Sequence, residues 1–340
     1  MTATQSSSSR LSNMKDHTFI GDAAKIPVND PTPVISISPI VLEAPDRIID
    51  LHLRVSAPTT GTNLPIILFS HGQGKSNHLS SLNGYGPIAN FWAAHGFVVI
   101  QPTHLSSMSL SLDNDAVPGD GPMFWRSRAQ DMKLIFDQLD NIESAFPQIQ
   151  GRLDHSRVAV AGHSMGGHTA SMLMGARTRD SPDAPLVDLI EPRIKTGVLL
   201  AAPGDGRGGD GMSDRVKENW TFLTEHTHAE MSTPALVVIG ENDGSPFLTT
   251  RGAAYHADAY HSSKGAKSLL TLAGGYHGLG GVSGYDTAEA TDDESPERLG
   301  VTQRLTWAYL WSQFYPDDPA WLVASTALSG LPALGKVESK

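Results

Sequence analysis

The rhythm of apolar positions changes along the chain. Between Pro33 and Ser56, the runs Val34-Ile35-Ser36-Ile37-Ser38 and Ile48 to Val55 alternate apolar and polar residues. That is the period of half-exposed strands, and it predicts an antiparallel opening hairpin. Beyond the turn-rich Pro58 to Asn63, the alternation gives way to short continuous apolar runs. They are Pro65 to Phe69, Phe97 to Ile100, Val158 to Ala161, Gly197 to Ala201, Ala235 to Ile239 and Ser268 to Leu272. Runs of this kind belong to strands covered on both faces, so a mostly parallel sheet is expected.

Helical spacing fills the intervals. Ala129, Met132, Ile135, Phe136, Leu139 and Ile142 recur at three- and four-residue steps, and a second helix is expected over Gly167 to Ala176. Ser295-Pro296 offers an N-cap and a first-turn proline to a last helix that turns Val301, Leu305, Ala308 and Trp311 inward. The predicted architecture is α/β, a central sheet with helices on both faces and an antiparallel N-terminal hairpin, in one catalytic domain over 33–316. Residues 1–32 read as a flexible extension and 317–340 as a C-terminal extension. Three stretches are too long for plain connections: 105–123, 205–233 and 278–295. Each follows the C-terminal end of a predicted strand, the edge at which open α/β sheets bind ligands, so they are candidate walls of one pocket.

Charge and composition narrow the function. The 340 residues carry a formal net charge of -11 and no basic block, which argues against a nucleic-acid partner. The absence of cysteine removes thiol nucleophiles and thiolate metal sites. Met1 to Ala24 lacks the apolar core of a secretory signal, and no stretch approaches the roughly 20 apolar residues of a membrane span. A cytoplasmic protein is the expectation; its oligomeric state is left open.

The candidate chemistry centres on Gly162-His163-Ser164-Met165-Gly166. The motif directly follows the Val158 to Ala161 strand and directly precedes a helix, the setting of a nucleophile elbow, with Ser164 as nucleophile. A serine hydroxyl needs a base and an orienting acid, which in this arrangement follow in the order acid, then histidine. His277, in Gly274-Gly275-Tyr276-His277, lies just past the last strand and is the expected base. Asp243, at the end of Ala235 to Ile239 and its turn, is the expected acid, with Asp205 and Glu241 as competitors. The backbone N–H groups of Met165 and of Gln73, in Ser70-His71-Gly72-Gln73-Gly74, are expected to form an oxyanion hole, with His71 ordering that loop. Apolar residues of the long loops, Met108 and Trp125 in one and Trp220 and Phe222 in another, are the expected substrate contacts. The acidic run Asp286, Glu289, Asp292, Asp293 and Glu294 is expected to be a solvated loop. The chemistry requires no metal and no cofactor.

Leu68 to Gly74, Ala94-His95-Gly96-Phe97-Val98-Val99 and Ala161 to Gly167 together resemble the platelet-activating-factor acetylhydrolase and predicted dienelactone hydrolase group. Gly240-Glu241-Asn242-Asp243 and Gly274 to His277 are similar to cutinase-like polyester hydrolases. The resemblance implies an α/β-hydrolase fold and ester hydrolysis, and maps the machinery onto Ser164, Gln73 and Met165, with Asp243 favoured as acid. Dienelactone hydrolases use a cysteine where this chain has Ser164. The expected activity is cleavage of a neutral, fairly hydrophobic carboxylic ester or lactone, a small-molecule substrate, through an acyl-enzyme. Amidase, thioesterase or polyester hydrolase chemistry on the same triad, or ligand binding without turnover, are the alternatives.

Overall fold

The computed structural model describes residues 18–79, 82–113, 116–289 and 293–340. Among them, one large sheet is built from β1 (Val34–Leu42), β2 (Leu51–Pro58), β3 (Leu64–Ser70), β4 (Val98–Pro102), β5 (Leu153–His163), β6 (Ile194–Leu200), β7 (Ala235–Gly240), β8 (Lys267–Leu272) and β9 (Gly335–Ser339). The order across the sheet is β1-β2-β4-β3-β5-β6-β7-β8-β9. β1, β2 and β4 pair antiparallel, β4 through β8 are parallel neighbours, and β9 closes the far edge antiparallel to β8. This is an α/β-hydrolase fold.

The continuous apolar runs explain the layering. Ile67 and Phe69 of β3 point to one face, where they meet Ile88 and Trp92 of α1 (Gly86–Ala94) and Val301 and Leu305 of α5 (Pro296–Phe314). Ile66 and Leu68 point to the other, against Ala129 and Met132 of α2 (Trp125–Asp137), Ile142 of α3 (Leu139–Ala145) and Leu173 of α4 (Met165–Leu173). Trp92 Nε1 donates to Thr306 Oγ1 at 3.0 Å, so the one polar atom of that large ring is satisfied inside the core. The helix expected across Ala129 to Ile142 breaks at Gln138, which leaves helical geometry at φ −116°, ψ 21° and starts α3 on a new axis.

Both chain ends contribute more than extensions would. From residue 18 the chain turns through Thr18–Lys25, and Ala23 and Ile26 are fully buried against α5. Arg304 donates to Ile26 O at 2.6 Å, and the Asp22 N–H donates to Glu297 Oε1 at 2.7 Å. Ala23 and Ile26 thus anchor the described part of 1–32 on α5; residues 1–17 lie outside the described residues. Past 316, α6 (Ala320–Ser329) buries Ala324 and Leu328, and β9 joins the sheet. No helix among the described residues is long and apolar enough to cross a membrane. Replacing Ile26 by alanine should lower the unfolding free energy by about 2–5 kcal/mol in a urea titration. An unchanged midpoint would show that the segment does not pack as described.

Candidate active site

Four strands end at one edge of the sheet, and each delivers one part. Gln73 follows β3, Ser164 follows β5, Asp243 follows β7 and His277 follows β8. Ser164 adopts φ 53° and ψ −121°, a region costly for a residue with a side chain. Crowding enforces it. A Cβ on Gly162 would stand 2.1 Å from Gly166 O, and one on Gly166 would stand 1.9 Å from Ser70 O, so only glycine fits at either place. The Ser164 N–H is fixed by Leu200 O at 2.9 Å, and its side chain is lifted to the start of α4.

His277 Nδ1 donates to Asp243 Oδ2 at 2.8 Å, and Ser245 Oγ donates to Asp243 Oδ1 at 2.6 Å. Asp243 is 1% exposed, and His277 is 27% exposed on the wall of the cleft that also holds Ser164. Burial pushes the Asp243 carboxyl up, but His277 and then His256 act against it and together hold it well below the usual carboxylate range. No hydrogen bond joins Ser164 Oγ to His277 among the described residues. The Asn242 N–H donates to Gly275 O at 2.8 Å, tying the loop of Asp243 to the loop of His277.

The loops are further linked by residues that the motifs alone do not reveal. The Gly72 N–H donates to Tyr85 Oη at 2.9 Å, Tyr85 Oη lies 2.9 Å from His163 Nδ1, and His163 Nε2 donates to His277 O at 2.8 Å. One buried line of hydrogen bonds thus runs from the loop of Gln73, through the residue before Ser164, to His277. Burial, and then the charge of His277, lower the His163 pKa to about 3, so His163 is neutral at ordinary pH. His71 is likewise buried. Its Nδ1 donates to Gly72 O at 2.7 Å, and Nε2 accepts from the His104 N–H at 3.2 Å. The N–H groups of Gln73 and Met165 have no protein partner among the described residues.

Beneath this loop lies Arg128, fully buried on the inward face of α2. It donates to Thr169 Oγ1 at 3.0 Å, Ser106 Oγ at 2.6 Å, Ser70 Oγ at 3.2 Å and the His71 carbonyl. Asp131, the nearest carboxylate of α2, is paired instead with Arg47 at 2.8 Å and His104 at 2.8 Å. Burial lowers the Arg128 pKa to about 9, which still leaves it charged at neutral pH. Its guanidinium fork therefore pins the end of β3 and α4 from below.

Two lobes open from Ser164. One, of about 530 Å³, is lined by Leu79, Pro246, Tyr276, His277 and Glu289. The other, of about 330 Å³, is lined by Met108, Met123, Met165, Trp220, Leu223 and Leu248. Gln73, Ser164 and Phe247 border both. Each of the three long stretches supplies wall residues: Met108 and Met123, then Arg215 and Trp220, then Gly278 and Glu289. Asn114, Asp115 and residues 290–292, Asp292 among them, lie outside the described residues. Trp125 and Phe222 are not wall residues. Both are fully buried and stack on each other at 5.8 Å, one layer below the lobe, where their rings support Met123 and Met165. The acidic run fastens its loop: Glu289 accepts from the Ser76 N–H at 2.7 Å, and Asp293 pairs with Arg298 and accepts from the Gly280 N–H at 3.1 Å.

Asp205 stands apart from the cleft. His228 Nδ1 donates to it at 2.7 Å, and although burial raises the carboxyl, the His228 contacts lower its pKa to about 2. Among the described residues, Asp243, His256 and His277 alone bring three metal-type donors together. The 2.8 Å between His277 Nδ1 and Asp243 Oδ2 is a hydrogen-bond length, whereas two ligands on one tetrahedral zinc stand about 3.3 Å apart. His277 and Asp243 are joined by a hydrogen bond, and His256 Nε2 stands 3.3 Å from Asp243 Oδ2.

A family model described as Chlorophyllase matches residues 36–181, less than half of the chain. The matched span runs from β1 through the Ser164 turn and α4, and stops before Asp243 and His277. That family is of the α/β-hydrolase type and cutinase-like, in agreement with the superfamily that the motifs resemble. No curated protein matches the chain.

Arg128→Lys keeps the charge but cannot fill the fork. It should cost at least about 2 kcal/mol of stability, read by urea unfolding. A loss below about 0.5 kcal/mol would show that the fork carries no weight.

Proposed function

We propose that the protein is a serine hydrolase that cleaves a neutral, fairly hydrophobic carboxylic ester or lactone through an acyl-enzyme. The observation that carries this reading is the shared cleft of Ser164 and a His277 whose Nδ1 is held by a buried, ionised Asp243. The match to the Chlorophyllase model over the Ser164 half of the fold supports an ester as the substrate.

His277 Nε2 takes the Ser164 proton as Oγ attacks the carbonyl carbon. Asp243 keeps the imidazole in the Nδ1–H tautomer and stabilises the cation that forms. The oxyanion is received by the Gln73 and Met165 N–H groups, each worth on the order of 3 kcal/mol in the transition state. His277 returns its proton to the leaving oxygen as the ester bond breaks. Water, deprotonated by the same ring, then attacks the acyl-enzyme, releasing the acid and restoring Ser164. The Ser164–His277 hydrogen bond forms when substrate seats, since such contacts are often loose in unliganded enzymes.

The proton path orients the substrate. The leaving oxygen must meet His277, so the alcohol part occupies the lobe of Leu79 and Tyr276. The acyl part occupies the opposite lobe over Met165, where Met108, Met123, Trp220 and Leu223 provide an apolar surface.

The test is turnover of p-nitrophenyl esters of graded acyl length, alongside lactones, amides and a chlorophyll ester. Ser164→Ala should lose at least about 10⁴-fold in kcat with the fold intact by circular dichroism. Asp243→Asn should lose far more kcat than Asp205→Asn, whose effect should be on stability. Most of the activity surviving in Ser164→Ala, or the reverse order for the two aspartates, would contradict the mechanism.

A further inference from the structure

Asp243 has a second histidine against it. His256 ends the short helix Ala253–His256, and its ring is fully buried. Its Nδ1 lies 2.8 Å from Ala202 O. A carbonyl oxygen can only accept, so Nδ1 carries a proton. Nε2 lies 3.3 Å from Asp243 Oδ2, off the line of an ideal hydrogen bond, and has no other partner.

The number of ring protons decides whether this contact attracts or repels. With one, a bare Nε2 would turn its lone pair toward a carboxylate oxygen in a water-poor site, and a buried polar atom would go unpaired. With two, an imidazolium faces a carboxylate at contact distance, where attraction in the interior is strong. Among the described residues, Asp243 brings the one carboxylate in contact with the ring, and its attraction has to outweigh the burial of the ring and the repulsion of a cationic His277. The Tyr255 ring stands 5.2 Å away and the His277 ring 5.5 Å, and His163 is hydrogen-bonded at both nitrogens. Asp258, two residues further on, is taken up by Arg207 at 3.1 Å and by Arg251.

We propose that His256 is a positioning residue: as an imidazolium it holds the far side of the Asp243 carboxylate and limits the negative charge that Asp243 presents to His277. The role rests on the assignment of His277 and Asp243 made under the proposed function. A carboxylate shared between two cations stabilises each of them less than it would stabilise one. His256 therefore keeps His277 available as a base further into mild acid than an unshared Asp243 would allow. Removing the His256 charge moves the acid limb of kcat/KM upward.

Two readouts test this. Imidazole NMR of the ¹⁵N-labelled wild-type protein at pH 6 should show both ring nitrogens of His256 protonated, the signals being assigned by their loss in His256→Gln or, should that variant fold poorly, in His256→Asn. In His256→Gln, which keeps a donor toward Asp243 without its charge, the acid limb for a p-nitrophenyl ester should rise by about one pH unit. Activity below the limb then falls roughly tenfold. The plateau above it should change far less. A bare Nε2 at pH 6, or an unmoved limb in folded His256→Gln, overturns the proposal. Turnover surviving in Ser164→Ala would instead strike at the site assignment, on which the ring spectrum does not depend.

Discussion

The site depends on crowding at a single strand–helix junction. Three backbone segments, the ends of β3 and β5 and the start of α4, converge so closely that neither Gly162 nor Gly166 has room for a side chain. The chain passes between them only by placing Ser164 at φ 53°. That strain costs about 1–3 kcal/mol and persists because the surrounding sheet over-determines it. Its consequence is geometric: the Ser164 side chain is held clear of the sheet beside unpaired N–H groups, at the helix end where negative charge is favoured. Loosen the junction and the proposed nucleophile, the proposed oxyanion donors and the helix dipole lose their common focus.

Polar groups buried behind this junction carry the constraint outward. The line from Gly72 through Tyr85 and His163 to the His277 carbonyl ties the loops of Gln73, Ser164 and His277 together by hydrogen bonds. Arg128 does the same from below, with a charge that no carboxylate contacts directly. Burying it carries a large desolvation penalty, and four hydrogen-bond acceptors around the fork offset that penalty. Asp243 lies at the other extreme, a buried anion with two histidines and a serine on it. Both charges are thus held by fixed hydrogen bonds, a field set before any substrate arrives.

Much of this was legible in the residues, for physical reasons. A strand covered on both faces has to be continuously apolar, so the parallel strands announced themselves, and chemistry at their C-terminal ends follows from the architecture. β9 gave no such signal, because Lys336, Glu338 and Ser339 face solvent on an edge. Nor did the packing of Ile26, because Gly21 and Pro27 leave the apolar residues before it too short a stretch to show a period. Trp125 and Phe222 show where hydrophobicity runs out as a guide: an aromatic in a long loop can line a pocket or floor it, and only the packing tells which. His163 and Tyr85 carry no pattern of their own. Arg128 did leave a trace, since it stands four residues before Met132 on the apolar face of α2, where a charge demands an explanation. His256 left none, because its partner lies thirteen positions back and meets it only in the folded chain.

The central claim is that Ser164 is an activated nucleophile and not merely a serine in a tight turn. Covalent labelling tests it without reference to any substrate. After incubation with a p-nitrophenyl alkylphosphonate, intact-mass spectrometry should show one phosphonyl group per chain, and peptide mapping should place it on Ser164. A chain that stays unmodified, or one that carries the label on another residue, would contradict the account.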